Sequence, residues 1–375
     1  MTAAQGLWNR LFETAQQLGF GAMGAVGAQA DPRRPVLEHW LAEGMHGDMA
    51  WMAKDPARRT DPRQVLPEAR SVIALFHPYH PGPLEGPLTD VPRGRIARYA
   101  LGDDYHDVTA SKLRALAAEL EDPTARVYTD TGPFLERSVA SRAQIGWTGK
   151  SGLLIHPKLG TYGFLAEIVT VRELPVAETP HPDRCGTCTR CLDVCPTGAL
   201  VAPGLVDSRR CISYLTIEHR GPIPHALRPL IGDWVYGCDL CQEVCPWNRK
   251  APASQEPAFQ PKPERIFPRL TDLLLMTQEQ FSQTFKGSAI KRTKRRGLAR
   301  NAAIALGNAK DPATVPALKQ ALEADAEPLV RGAVAWALGQ IGTLEARQAL
   351  EAAQKRESDP EVADEIRLAL AEASR

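Results

Sequence analysis

The residues whose types and spacing most directly imply chemistry in this 375-residue chain are its eight cysteines, all of which fall between Cys185 and Cys245. The first group reads Cys185-x2-Cys188-x2-Cys191-x3-Cys195-Pro196. The second, Cys211 followed by Cys238-x2-Cys241-x3-Cys245-Pro246, repeats the pattern with its first gap stretched to 26 residues. A chain of this length buries large cores without covalent staples, and its cysteine density is far below that of a small secreted disulfide scaffold. A structural zinc site wants two well-separated C-x2-C pairs, whereas here thiols would be left over or crowded into one short run. Thiolates at this spacing suit iron–sulfur ligation instead.

The C-x2-C-x2-C-x3-C-P run is that of bacterial ferredoxins, in which three close thiolates bind one cube and the fourth serves the other cluster. By that crossover, one 4Fe-4S cluster takes Cys185, Cys188, Cys191 and Cys245, and a second takes Cys195, Cys211, Cys238 and Cys241. Two clusters side by side form an electron path, and spacing does not fix their potentials.

Forty-five basic and 44 acidic side chains leave a net charge of +1, which excludes a wholly basic nucleic-acid coat and an acidic disordered chain. Charge is local instead. Between Lys291 and Arg300 there are six positive residues and no negative one, while 301–375 holds 8 basic and 12 acidic residues. Such a run is often a solvated face, but at the entrance to a folded array it can make salt-dependent phosphate contacts with an RNA or DNA backbone. The N-terminal residues lack a signal-peptide pattern and no stretch reaches 18 apolar residues, so a cytoplasmic protein with no membrane span is expected.

Residues 1–180 read as mixed α/β, the layer that must position any catalytic group. Leu7, Leu11, Phe12, Ala15 and Leu18 share a helical face ended by Gly19. Ser71–Phe76 has the length and β-branched content of a buried strand. A helix is expected over Tyr105–Leu120, a strand over Ala125–Thr129, a helix over Pro133–Gln144, and strands over Gly152–His156 and Tyr162–Val171. A linker at 173–183 leads to a cysteine domain at 181–250, and a proline-rich linker and helix fill 251–290. From 291 to 375 the sequence repeats every 32 residues: Leu306, Leu338 and Leu370; Ala305, Ala337 and Ala369; Ile304, Trp336 and Leu368. Two helices per unit make this a short α-solenoid resembling HEAT repeats, with a plain helical bundle as the alternative.

Taken together, the chain resembles the epoxyqueuosine reductases. The resemblance rests on the doubled cysteine motif and on Arg58-Arg59-Thr-Asp-Pro62, Gly102-Asp-Asp-Tyr105-His106, Val127-Tyr-Thr-Asp130-Thr-Gly132, Glu136-Arg137, Gly146-Trp-Thr-Gly-Lys150, Tyr162-Gly-Phe-Leu-Ala-Glu167 and Lys294-Arg-Arg-Gly-Leu-Ala-Arg300-Asn301. It implies a nitroreductase-like cobalamin domain, a ferredoxin-like domain with two 4Fe-4S clusters, and reduction of the epoxide of epoxyqueuosine at the tRNA wobble position. An external electron donor, such as a reductase, flavodoxin or ferredoxin, would feed a monomer. Asp130 would be the proton donor for the opened epoxide, kept protonated by partial burial; otherwise it would be an N-cap for the helix starting near Pro133. Arg59, Asp130, and the main chain near Leu154 and Leu165 would contact the corrinoid. Arg137, Lys294, Arg295, Arg296, Arg300 and Asn301 would contact tRNA.

Asp104-Tyr-His106-Asp-Val-Thr109 lacks the glycine of the Asp-x-His-x-x-Gly motif, so no protein histidine ligand to cobalt is expected. Tyr105 is a candidate for orienting substrate. Two other functions fit parts of the pattern: a cobalamin and iron–sulfur reductase of a small molecule, which needs neither the basic segment nor the solenoid, and an RNA-binding protein with structural clusters, which needs no acid at Asp130.

Overall fold

A continuous apolar run such as Ser71–Phe76 forms a strand only where both faces can be covered, and that is its setting. In a computed structural model, which describes residues 3–85, 91–177 and 179–372, four strands form an antiparallel sheet: β1 (Ala22–Gly27), β2 (Ser71–Pro78), β3 (Arg126–Thr129) and β4 (Gly163–Thr170), in the order β1-β2-β4-β3. Glu178, within the linker read at 173–183, lies outside the described residues.

On one face, helices α1 (Ala3–Gln17) and α2 (Tyr105–Ala118) bury Leu11, Ala15, Leu113 and Leu116 against Ile73, Leu75, Ala166 and Ile168. On the other, α3 (Glu136–Arg142) packs Val139 and Ala140 against Val72, Ala74 and Val169. The layer is therefore α+β with an all-antiparallel sheet. Helix α3 begins three residues later than the pattern of apolar residues suggests, because residues 130–135 form a loop after β3.

The chain divides into two units that interleave in sequence. The first holds Met1–Pro83, Gly102–Arg209 and Asp239–Gln260; the second holds Leu84–Leu101, Arg210–Cys238 and Pro261–Arg375. The cysteine region expected as one domain over 181–250 is thus allotted to both units, Cys211 and Cys238 to the second and the other six cysteines to the first.

In the second unit the repeat forms as read. Helices α4 (Lys294–Ala309), α5 (Val315–Ala324), α6 (Pro328–Ile341), α7 (Leu344–Gln354) and α8 (Pro360–Glu372) follow one another with short turns, and Pro328 and Pro360 open their helices at the first position, where a missing N–H costs nothing. Leu306, Ala305, Leu338, Ala337 and Ala369 are buried. The period also places Gly307 and Gly339 in register. A Cβ on Gly307 would come within 2.6 Å of the Trp336 ring, and one on Gly339 within 2.8 Å of the Ala369 Cβ, so glycine is what lets successive helices approach this closely.

Candidate active site and metal centres

Asp130 follows the last residue of β3 and adopts a left-handed conformation with φ 57°. It caps no helix, since α3 begins at Glu136 with Leu135 before it and no side-chain cap. Its carboxyl meets the start of α2 instead. The Tyr105 hydroxyl donates to Asp130 Oδ2 at 2.5 Å, and His106 Nε2 lies 3.5 Å from the same oxygen. Asp104 caps α2 by accepting from the His106 main chain, and its Oδ1 also lies 2.7 Å from His106 Nδ1. Tyr105 is fixed from below by Phe164 of β4, the rings parallel within 3° at 4.1 Å.

Electrostatics alters the expectation for Asp130. Its side chain keeps 59% exposure rather than being protected by burial. Surrounding protein would raise its pKa, but hydrogen bonds from His106 and Tyr105 outweigh this and hold the carboxyl below the usual range. Burial would lower His106, yet Asp104 and Asp130 reverse it and push the imidazole up to about 9. At neutral pH the proton therefore resides on His106 and the charge on Asp130. Sequence spacing gives no sign that His106 and Asp130 meet, because β3 and α2 are brought together by the sheet.

Arg59 lies in the last turn of the short helix Pro56–Thr60, half-buried, donating to the Trp51 carbonyl at 2.9 Å and sensing Glu136 and Asp55. Leu154 is buried in the core beneath α3, and half-buried Leu165 packs on the same core. Arg137 is exposed at the start of α3 and donates to the Gly152 carbonyl at 2.6 Å. Glu167, fully buried in β4, had drawn no role from sequence; a carboxyl inside an otherwise apolar strand is the signal that could have singled it out.

All eight cysteines are free thiols of intermediate exposure. Cys191 sits on the short helix Arg190–Val194, and Cys195 follows it, receiving the Ala199 N–H at 3.4 Å. Cys185 receives the Trp147 indole N–H at 3.4 Å. Trp147 also meets Trp247, two residues past Cys245, edge-to-face with centroids 4.8 Å apart. That contact ties the segment of Cys245 to that of Cys185. Burial raises the Cys191 and Cys245 thiols, and the nearby cysteines add to it: Cys185 and Cys188 for Cys191, and Cys185, Cys191 and Cys188 for Cys245. Thiols that raise one another in this way suit a group that stabilises thiolates, as a 4Fe-4S cube does. Among the described residues no three His, Cys, Asp or Glu converge as a single ion requires. In the second unit, Cys211 precedes helix Ile212–Ile217 and Cys238 follows strand Trp234–Tyr236.

The basic segment is less exposed than its sequence suggests. Arg300 is 1% exposed and donates to the carbonyls of Leu215, His219 and Gly221. Asn301 is equally buried and donates to Thr216 and Val235. Both residues hold α4 to its own unit and are not available to a phosphate, which corrects the expected tRNA contacts. Arg295 pairs with Asp325 through two bonds of 2.7 and 2.8 Å, and Arg296 lies 3.7 Å from Glu327. Lys294 is exposed. Acidic residues of the repeats therefore answer part of the charge that a linear count concentrates here.

Comparison with known proteins agrees with this geometry. Residues 184–248, which contain every cysteine, match a 4Fe-4S double cluster binding domain. Residues 288–371 match HEAT repeats, and 59–131, from Arg59 through Asp130, match the profile described as Epoxyqueuosine reductase QueG, DUF1730. The fold and centres define an iron–sulfur oxidoreductase with a helical-repeat tail. Curated proteins named epoxyqueuosine reductase are 40% identical in Salmonella typhimurium, over 86% of this chain and 85% of that one, and 39% identical in Pseudomonas aeruginosa, over 87% and 92%. A crystal structure of epoxyqueuosine reductase with an epoxyqueuosine-modified tRNA-Tyr stem loop superposes with TM-score 0.91 at 34% identity, covering 99% of this chain and all of that one. A Bacillus subtilis epoxyqueuosine reductase, whose aspartate catalytic loop is described as swung out of the active site, gives 0.90 at 34% identity, covering 98% and 99%. The chain belongs to the epoxyqueuosine reductase family. No helix among the described residues is long and apolar enough to cross a membrane.

Proposed function

We propose that this enzyme reduces epoxyqueuosine to queuosine in the anticodon of tRNA, with Asp130 delivering the proton and electrons entering through two 4Fe-4S clusters from an external reductase, flavodoxin or ferredoxin. The observation that carries the reading is the Asp130–Tyr105–His106 arrangement in the chain of an oxidoreductase that also holds the doubled cysteine set. Converting the epoxide to an alkene consumes two electrons and two protons and releases water. Breaking the C–O bond develops negative charge on oxygen, and a positioned acid lowers that barrier. Asp130 is exposed enough to reach the oxygen. Asp130 rests as a carboxylate, so the proton it delivers reaches it from His106, which holds one at neutral pH.

A cobalamin suits the residues around Asp130. The half-buried Arg59 guanidinium and the exposed Asp130 carboxyl match the amide-fringed rim of a corrinoid, while the main chain at Leu154 and Leu165 would border its apolar face. When bound, the corrinoid supplies low-potential electron delivery to the epoxide carbons. The nitroreductase-like assignment of the α+β domain goes with this reading. Arg137, Lys294 and Arg296 would meet the tRNA backbone, and the monomer is the working unit. The test is nucleoside mass spectrometry of tRNA from cells lacking the gene: accumulated epoxyqueuosine supports the reading, and normal queuosine refutes it.

A further inference from the structure

His77 lies near the end of β2, on the face that otherwise presents Ile73 and Leu75 to α1 and α2, and has no solvent exposure. Burying an imidazole costs free energy unless its polar atoms find partners. Its Nδ1 lies 3.1 Å from the hydroxyl of Thr109, an equally buried residue of α2. Its Nε2 has no hydrogen bond among the described residues and faces the Glu256 carboxylate at 3.8 Å. Glu256 in turn pairs with Lys112, three residues further along α2, which also donates to the Leu18 carbonyl at 2.7 Å. Burial, with Lys112 adding to it, pushes the imidazole down to about 4, so the ring meets Thr109 as a neutral group at physiological pH.

Strand register gives this contact its place. His77 pairs with Phe164 across the β2–β4 ladder, and directly opposed residues of an antiparallel pair stand on one face of the sheet. Phe164 lies under Tyr105, with ring centroids 4.1 Å apart, and His77 meets Thr109, four residues later on the same face of α2. Two consecutive turns of α2 thus rest on one cross-strand pair, the first through an aromatic stack and the second through a polar bond. Phe259 closes edge-on against both, 4.7 Å from His77 and 5.1 Å from Phe164 between centroids. Stacked rings slide over one another, whereas a hydrogen bond has a preferred direction, so the Thr109 contact fixes how α2 is turned about its axis. That turn decides whether Tyr105 and His106, at the start of α2, face Asp130.

We propose that His77 is a positioning residue for the Asp130 site: through Thr109 it sets the rotation of α2 that brings Tyr105 and His106 onto the Asp130 carboxyl. An apolar side chain at this position would fill the space, as Ile73 and Leu75 do along the same strand, but would let α2 turn by small steps and would strand the Thr109 hydroxyl. A buried polar pair of this kind specifies one arrangement of the core. His77 and Thr109, both fully buried, do not touch the substrate in this reading. The proposal rests on the role given above to Asp130 and adds what holds its two partners in place.

The test uses the holoenzyme with three variants. Thr109→Val keeps the side chain's shape without its hydroxyl, Thr109→Ser keeps the hydroxyl, and His77→Leu matches the apolar neighbours on its strand. The first readout is the titration of His106, followed by NMR with labelled histidine and no substrate. The charged groups that meet His106 are Asp104 before α2 and Asp130 after β3, with Arg137 of α3 acting on Asp130. Loosening α2 withdraws His106 from Asp130, so its pKa should fall toward the ordinary histidine value in Thr109→Val and His77→Leu and stay at wild type in Thr109→Ser. The second readout is turnover of epoxyqueuosine-tRNA: kcat should drop about fivefold in the two variants that lose the bond, the worth of one hydrogen bond, with KM unchanged, and recover in Thr109→Ser. A wild-type His106 titration in Thr109→Val overturns the proposal whatever happens to the melting temperature, since a purely structural pair would lower stability and leave that titration alone. Thr109→Ser behaving like Thr109→Val also overturns it. If Thr109→Val does not fold, His77→Leu decides by the same titration. Because the titration is read without turnover, loss of the catalytic role of Asp130 would leave that result standing and is distinguished from failure of the positioning pair.

Discussion

The Tyr105 hydroxyl and the Asp130 carboxyl, 25 residues apart in sequence, share a 2.5 Å hydrogen bond, with His106 3.5 Å from the same oxygen. Asp130 is therefore a carboxylate supplied by neighbours that hold protons, and its chemistry belongs to the group.

Asp130→Asn should retain both clusters and tRNA affinity while losing turnover by about 10²–10⁴-fold, the range expected on removing a positioned acid. Single-turnover kinetics with modified stem loop, alongside iron analysis and a binding titration, checks this. Turnover near wild type would remove the acid role.

The pH dependence follows from His106. Its raised pKa means that activity relying on the imidazolium is full at neutral pH and falls as pH rises through about 9. The same shift favours the folded state below the ordinary histidine pKa and loses that contribution as pH climbs through about 9. In His106→Gln, kcat should drop and this alkaline limb should weaken. A wild-type profile in that variant counts against the pair.

Trp147 donates to the Cys185 sulfur, and such bonds favour the more negative, reduced cluster. Trp147→Phe should lower the potential of the cluster held by Cys185, a shift readable by EPR-monitored redox titration. An unshifted potential would restrict Trp147 to packing against Trp247.

The buried and exposed parts of the basic segment should separate in experiment. Lys294→Gln with Arg296→Gln should reduce the salt dependence of tRNA binding by about one slope unit per lost phosphate contact. Arg300→Ala should instead destabilise the repeat unit by roughly 3 kcal/mol, because three main-chain carbonyls lose their donor. Thermal melts and binding isotherms across a salt series distinguish the two.

Much of this was legible where the signal is periodic or covalent in scale. The cysteine runs, the strand at Ser71–Phe76, and the 32-residue recurrence through Leu306 and Leu338 depend on spacing along the chain alone, and the structure keeps them. Arg300 was misread because its partners, Leu215, His219 and Gly221, are about eighty residues away, and a linear charge count cannot register a guanidinium turned inward. His106 at Asp130 is likewise a product of a helix packing on the sheet and does not follow from local composition. The interleaving of two units escaped for the same reason.

The placement of Cys245 beside Cys185, Cys188 and Cys191, fastened by Trp147 against Trp247, also sets an order in time. On the ribosome the first three thiols emerge well ahead of the fourth, and chains fold from the N-terminus as they are made. With the ligand set expected from the ferredoxin spacing, in which Cys245 is the fourth ligand, a cube loaded early would carry an iron without its protein ligand until translation passes Cys245. Maturation of this centre is therefore tied to a late stretch of synthesis, and a chain truncated before residue 245 would hold it incompletely, however well its sheet had formed.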